Sequence, residues 1–155
     1  MARLPTSVSA FLRGERLAVA GVSRHSGQAA NAIFRKLKRS GYTVFPINPS
    51  ASEVEGEPCF PTVAAVPEAL DGVVIATAPH VSADVVRQCG ERGVPRVWLH
   101  RSIGRGSVSD DAVREAETRG VECVVGGCPL MFCEPVDFGH RCMRWWLQRQ
   151  GRVPQ

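Results

Sequence analysis

Short apolar runs alternate with amphipathic stretches along most of this chain. The first run is Leu17-Ala18-Val19-Ala20-Gly21-Val22, continuous in the way of a strand covered on both faces. A Gly/Ser-rich turn follows, and then a helix from roughly Gly27 to Ser40. In it Ala30, Ile33, Phe34 and Leu37 recur at spacings of three and four. Arg35, Lys36, Lys38 and Arg39 crowd its last turns, where cations suit the helix dipole, and Gly41 supplies a left-handed end. The second strand, Thr43 to Ile47, stops at Asn48-Pro49, and Ser50 to Pro61 reads as a loop broken by Gly56 and Pro58. A short helix or turn covers Val66 to Leu70.

The same alternation continues. A third strand, Gly72 to Thr77, is closed by Ala78-Pro79, and a helix from about Val81 to Arg92 turns Val85, Val86 and Cys89 inward before Gly93. A fourth strand, Arg96 to Leu99, and a loop with Gly104 and Gly106 lead to a helix near Ser109 to Arg119, with Ser109 as N-cap. Gly120 ends that helix, and Val121 to Val125 forms a fifth strand. Strands and helices alternating in this way predict a parallel sheet with right-handed crossovers. The fold expected is α/β: a Rossmann-like three-layer sandwich with a five-stranded parallel sheet and an additional C-terminal helix near Gly139 to Gln150. The 155 residues suit one domain, with a core at about 16–131 and an extension at 132–155.

Composition narrows the classes without choosing among them. Hydrophobic residues make up 44% and charged residues 22%, as in ordinary globular chains. No run is long enough to cross a bilayer, and the N-terminus lacks the apolar middle of a signal peptide, so a cytoplasmic protein is expected. In that compartment the six cysteines are reduced thiols. The formal net charge of +4 fits a small anionic ligand as well as it fits nucleic acid. No nucleic-acid module is legible, and neither a nucleic-acid nor a membrane partner is expected.

Ligands of open parallel sheets bind outside the carboxyl ends of the strands. That rule selects four segments: Gly21 to Gly27, Asn48-Pro49, Thr77 to His80 and Leu99 to Gly104. The first carries the most chemistry. Gly21 permits a sharp turn, Ser23 and Ser26 offer hydroxyls, Arg24 and His25 offer charge, and the next helix points free N–H groups at the turn. Together these suit a pyrophosphate. The dinucleotide fingerprint Gly-x-Gly-x-x-Gly is incomplete, because Ser23 replaces the middle glycine. No acid ends the second strand to hold a ribose; Glu53 and Glu55 lie further on. Pro79 reads equally as a strand stop and as a rim residue.

These stretches, with Gly41 to Pro49, Gly56 to Phe60, Val97-Trp98-Leu99-His100 and Cys128 to Met131, resemble the small bacterial CoA-binding domain proteins. Those are related in fold to the nucleotide-binding domain of the succinyl-CoA synthetase alpha subunit. The resemblance covers about Arg16 to Met131. It implies coenzyme A, or an acyl-CoA, over the carboxyl edge of the sheet. Gly21, Val22, Ser23, Arg24 and Ser26 would meet the phosphates, Asn48 and Pro49 the adenosine, and Ala78 and Pro79 the groove. His100 stands where a glutamine often follows the Trp region, and joins the set. Gln28 and Ala29 replace the Arg and Ser that members often carry, which leaves Arg24, His25 and Arg101 as cations for the phosphates.

Other constellations are weaker. Cys123, Cys128, Cys133, His140 and Cys142 lack the spacing of a zinc finger or ribbon, so no metal is expected. Cys128 could reach the cleft and pair with a CoA thiol, but a buried small residue is the simpler reading. The histidines form no nucleophile–base–acid set, and no catalytic residue is assigned. The stretch Arg141 to Arg149 mixes aromatic and basic residues. It is short for independent membrane binding, and docking on its own domain or on a second copy, as a homodimer contact, is favoured. The function expected is non-catalytic binding of CoA or acyl-CoA. The alternatives are an NAD(P)-binding oxidoreductase or a redox or interaction protein on the same fold.

Overall fold

A computed structural model of the chain describes residues 4–154. Five parallel strands form one sheet: β1 (Arg16–Ala20), β2 (Thr43–Ile47), β5 (Gly72–Ile75), β6 (Arg96–Leu99) and β7 (Glu122–Val125). Their spatial order is β2-β1-β5-β6-β7. A two-stranded hairpin, β3 (Glu53–Val54) and β4 (Glu57–Pro58), occupies the expected loop. Beyond it Phe60 makes a parallel bridge with Ile47: its N–H donates to Pro46 O at 3.0 Å and its carbonyl accepts from Asn48 N at 2.9 Å. Phe60 is thus a one-residue vestige of a further edge strand. Pro46 is tolerated in β2 because N–H and C=O of one residue face the same side, and here that side is the sheet margin.

Cross-strand rows explain the two cores. Val19, Val74, Trp98 and Val124 are register partners across the sheet and face one layer. Ala18, Val73 and Val97 form the next row and face the other. The first face is covered by α1 (Thr6–Leu12), α2 (Ala29–Arg39) and α5 (Phe138–Arg149); the second by α3 (Pro79–Arg92) and α4 (Asp110–Arg119). The three-layer sandwich expected from the sequence is therefore present, with its C-terminal helix.

Several boundaries move. The α2 helix is shorter than the expected Gly27 to Ser40, running from Ala29 to Arg39 and still holding the whole apolar pattern. Pro79 is the first residue of α3, where a missing N–H costs nothing, rather than a stop outside the helix. Val66 to Leu70 is an irregular segment with a bend at Pro67-Glu68, and the turn lies just before it at Ala64-Ala65. Ser109 caps α4 as expected, accepting from Ala112 N at 3.2 Å. Helix α1 is an addition: it buries Val8 and Phe11, and the Phe11 ring meets Trp98 edge-on at 5.4 Å. Gly72 makes room for it, since a Cβ there would stand 2.7 Å from the Phe11 ring.

Candidate functional site

The chain leaves β1 to build α2 on one face and leaves β5 to build α3 on the other. The gap between the two strand ends is the topological switch point of the sheet. A cleft of about 580 Å³ opens there. It is floored by Ala20, Gly21 and Ile47, with Asn48, Pro49 and Thr62 on one side and Thr77, Ala78, Asp84 and Gln88 on the other.

Gly21 makes this geometry possible. Its φ is +101°, and a Cβ would collide with the carbonyl oxygen of Ala76. Its N–H donates to Ile47 O at 3.0 Å, while Ala76 N donates to Ala20 O at 2.9 Å, so three strand ends converge on it. Asn48 fixes the next layer. Its Nδ2 donates to Val22 O at 2.9 Å and its Oδ1 accepts from Ser50 N at 2.8 Å. Asn48 thereby pins the turn after β1 to the end of β2. On the other wall, Thr77 O accepts from the buried Ser107 Oγ at 2.7 Å.

The turn from Ser23 to Gln28 is shaped by a network that sequence reasoning missed. Asn31, fully buried on the apolar face of α2, accepts from Ser23 N at 2.9 Å. Its Nδ2 donates to Ser23 O and to Glu55 Oε1, each at 2.7 Å. The Arg35 guanidinium joins Glu55 Oε1 at 2.7 Å and the Ser26 carbonyl at 3.1 Å. Glu55 reaches inward from the tip of the β3–β4 hairpin, where its φ is 51°. No side chain caps the start of α2, which faces this turn. Uncapped N–H groups at a helix start suit an anion.

Of the residues singled out from the sequence, Gly21, Asn48, Pro49 and Ala78 line the cleft together. Ser23, Arg24 and Ser26 lie on the adjoining turn; Arg24 and Ser26 are exposed and Ser23 is half-buried. Val22 is buried beneath that turn and offers its carbonyl to Asn48 instead of a ligand. Pro79 sits at the start of α3, behind Ala78. His100 stands apart: it is buried, its carbonyl accepts from Ser107 N at 2.7 Å, and burial pushes its imidazole below the usual value. Arg101 turns away as well, donating to Arg152 O at 3.2 Å. Asn31 had a signal, a polar residue three positions before Phe34 on an otherwise apolar face. Glu55 had none, since its partners Arg35 and Asn31 lie 20 and 24 residues away.

Asp84 is the sole ionisable side chain among the residues lining the cleft. Hydrogen bonds from Arg87 at 2.5 Å and Gln88 at 2.7 Å hold its carboxyl below the ordinary range, a poor setting for a general acid or base near neutrality. Cys128 lies in the core beside Met131 and Phe132, and burial pushes its thiol up to about 12. It holds almost no thiolate near neutral pH and does not line the cleft. Among the described residues no three His, Cys, Asp or Glu side chains gather closely enough to hold a metal ion. No helix among them is long and apolar enough to cross a membrane.

Comparison with known proteins places this geometry. The ADP-forming acetate–CoA ligase I of Archaeoglobus fulgidus is 29% identical over 118 residues, which are 72% of this chain and 17% of the ligase. The chain thus spans about a sixth of the length of that relative. A hypothetical protein from Pyrococcus horikoshii OT3 superposes with a TM-score of 0.73 at 24% identity, over 83% of this chain and 93% of its own. The dinucleotide-forming acetyl-coenzyme A synthetase 1 of Ca. Korarchaeum cryptofilum, solved with phosphate and ADP, matches with a TM-score of 0.63 at 30% identity. That match covers 74% of this chain and 26% of the synthetase. The relatives named here are archaeal. A family model described as CoA binding domain matches residues 15–134, which hold the whole sheet and both walls of the cleft; the chain belongs to the CoA binding domain family.

Proposed function

We propose that this protein binds coenzyme A or an acyl-CoA in the cleft between the carboxyl ends of β1 and β5, without carrying out chemistry on it. The observation that carries the reading is the position of the cleft at the switch point of the sheet, on the segment that matches the CoA binding domain family. The phosphates lie on the turn Gly21 to Gly27, against the uncapped start of α2, with Ser23, Arg24 and Ser26 as side-chain contacts. The apolar floor of Ala20, Gly21 and Ile47 takes the less polar part of the ligand.

Two observations favour CoA over a nicotinamide dinucleotide. The amide of Asn48, at the place where a ribose-binding acid would stand, is committed to Val22 and Ser50. Of the two carboxylates that follow it in the hairpin, Glu53 is exposed on β3 and Glu55 is committed to Asn31 and Arg35. The absence of catalysis is supported by Asp84 alone being ionisable in the lining and being held ionised.

Calorimetric titration with CoA, acetyl-CoA, NAD and NADP tests the reading. CoA or acetyl-CoA saturates one site per chain, and the two dinucleotides give no saturable heat. No binding of CoA or its acyl forms up to millimolar concentration sinks it. NAD(P) binding accompanied by hydride transfer replaces it with an oxidoreductase.

A further inference from the structure

The charge of this chain is distributed unevenly. Residues 1–137 carry 15 Lys and Arg against 15 Asp and Glu, so they are formally neutral. Residues 138–155 carry Arg141, Arg144, Arg149 and Arg152 and no acid, and so account for the whole formal charge of +4. The segment lies outside the stretch matched by the family model.

Helix α5 divides these residues by face. Leu147 is buried, His140 and Met143 are half-buried, and Arg144 is spent on Met131 O at 3.0 Å and on the Phe132 ring. The outer face carries Phe138, Arg141, Cys142, Trp145, Trp146 and Arg149, within one arc of the helix. Phe138 is 82% exposed, Trp145 57% and Trp146 47%. They stand out from the fold while the third tryptophan, Trp98, is fully buried. Arg149 lies over the Trp145 ring at 4.1 Å, which keeps a cation and an indole at the same level.

We propose that the outer face of α5 docks on an anionic lipid surface. Protruding indoles flanked by arginines on one helical face are the composition of an interfacial helix: the rings enter the headgroup boundary and the guanidiniums remain at the phosphates. Charge complementarity selects the lipid over a second copy. A second α5 would bring the same arginines to the contact, and its one carboxylate, Asp137 at the helix start, is already bonded to His140. The shortness of the stretch, counted against membrane binding from the sequence alone, limits the affinity without removing it. The helix is already folded and held by Leu147, so binding costs no coil-to-helix ordering. The core of the fold then sits on the membrane surface with the helix as its foot.

The test uses the full chain and vesicles of phosphatidylcholine with or without phosphatidylglycerol. Co-sedimentation with the anionic vesicles is expected, together with a blue shift of tryptophan emission from Trp145 and Trp146. Neutral vesicles give neither. Trp145→Ser with Trp146→Ser abolishes both signals. Arg141→Gln and Arg149→Gln weaken binding about fivefold each, and raising the salt well above physiological strength releases the wild type. Near-UV circular dichroism, dominated by Trp98, verifies that each variant is folded. Three results overturn the proposal: no sedimentation with anionic vesicles, equal sedimentation with neutral ones, or a dimer that the double tryptophan variant dissolves while vesicles are ignored. Capture by nucleic acid or an acidic protein with no affinity for vesicles also overturns it.

Discussion

Two parts of the same carboxyl edge behave differently. At β1 and β5 the strands end on Gly21 and Thr77-Ala78, the following helices depart to opposite faces, and a cleft remains. At β6 and β7 the strands have the same polarity, but the space beyond them is filled. Arg101 bridges Gly127, the Trp98 indole donates to Gly126 O at 3.0 Å, and Arg152 reaches Gly104 O at 2.6 Å. Both β5 and β6 send their helices to the same face, so nothing forces a gap between them. Strand polarity selects an edge for ligands; chain reversal decides which part of that edge stays open.

The largest effect should come from filling the floor of the open part. Gly21→Val places side-chain atoms against the Ala76 carbonyl at a left-handed φ, and a loss of about 3 kcal/mol or more is expected in urea unfolding. CoA binding disappears in calorimetry. Retention of both would show that the convergence of the three strand ends does not define the site.

Asn31→Ala comes next. It leaves Ser23 N without a partner and Glu55 with Arg35 alone, at about 2 kcal/mol. The turn proposed to hold the phosphates loses its shape, so CoA affinity should fall at least tenfold, beyond what the remaining folded fraction explains. An unchanged affinity in the folded protein would assign the network to stability alone.

Ser107→Ala probes the wall shared by the two parts. Ser107 comes from the closed side and donates to Thr77 O on the open side. Its loss costs about 1 kcal/mol and weakens CoA several-fold, read by paired unfolding and titration. Arg101→Met acts only on the closed side. It removes a donor to Arg152 O and a buried Nε that has no partner among the described residues. The two effects oppose, so stability moves by less than about 1 kcal/mol, and CoA affinity stays the same. A tenfold loss of affinity would make the Leu99 to Gly104 segment part of the site and end the contrast.

This contrast was only half legible in the sequence. Continuous apolar runs such as Leu17 to Val22 and Gly72 to Ile75 declared buried parallel strands, and the repeat at Ala30, Ile33, Phe34 and Leu37 declared α2, because burial on both layers leaves a periodic record. Helix α1 left almost none: seven residues, no side-chain cap, and two buried positions, of which Phe11 finds its partner in Trp98 far along the chain. Gly21 and Asn48-Pro49, singled out by local chemistry, do line the open cleft. The closed part was not legible, because Arg101, Gly126 and Arg152 meet only after folding. His100 joined the candidate set as the residue standing where the resemblance puts a glutamine, and its burial depends on the return of the loop at Ser107.

His100 supplies the smallest test and bears on that last point. Burial lowers its pKa from the ordinary 6.5, so the folded chain favours the neutral ring. As pH falls below about 6.5 the unfolded chain takes up the proton first, and stability drops with it until the folded value is passed. The carboxyls of Asp71 and Asp84, lowered by their hydrogen bonds, lose their own contribution only as pH falls below the ordinary carboxylate value of 3.8. The interval from pH 7.5 to 5.5 therefore isolates the histidine from them. Urea unfolding across it should show a downward slope that is shallower in His100→Gln. Because the ring belongs to the closed part, the pH profiles of CoA affinity for wild type and variant should superimpose. A change of affinity profile without a change of stability slope would move His100 from the sealed half of the edge into the cleft.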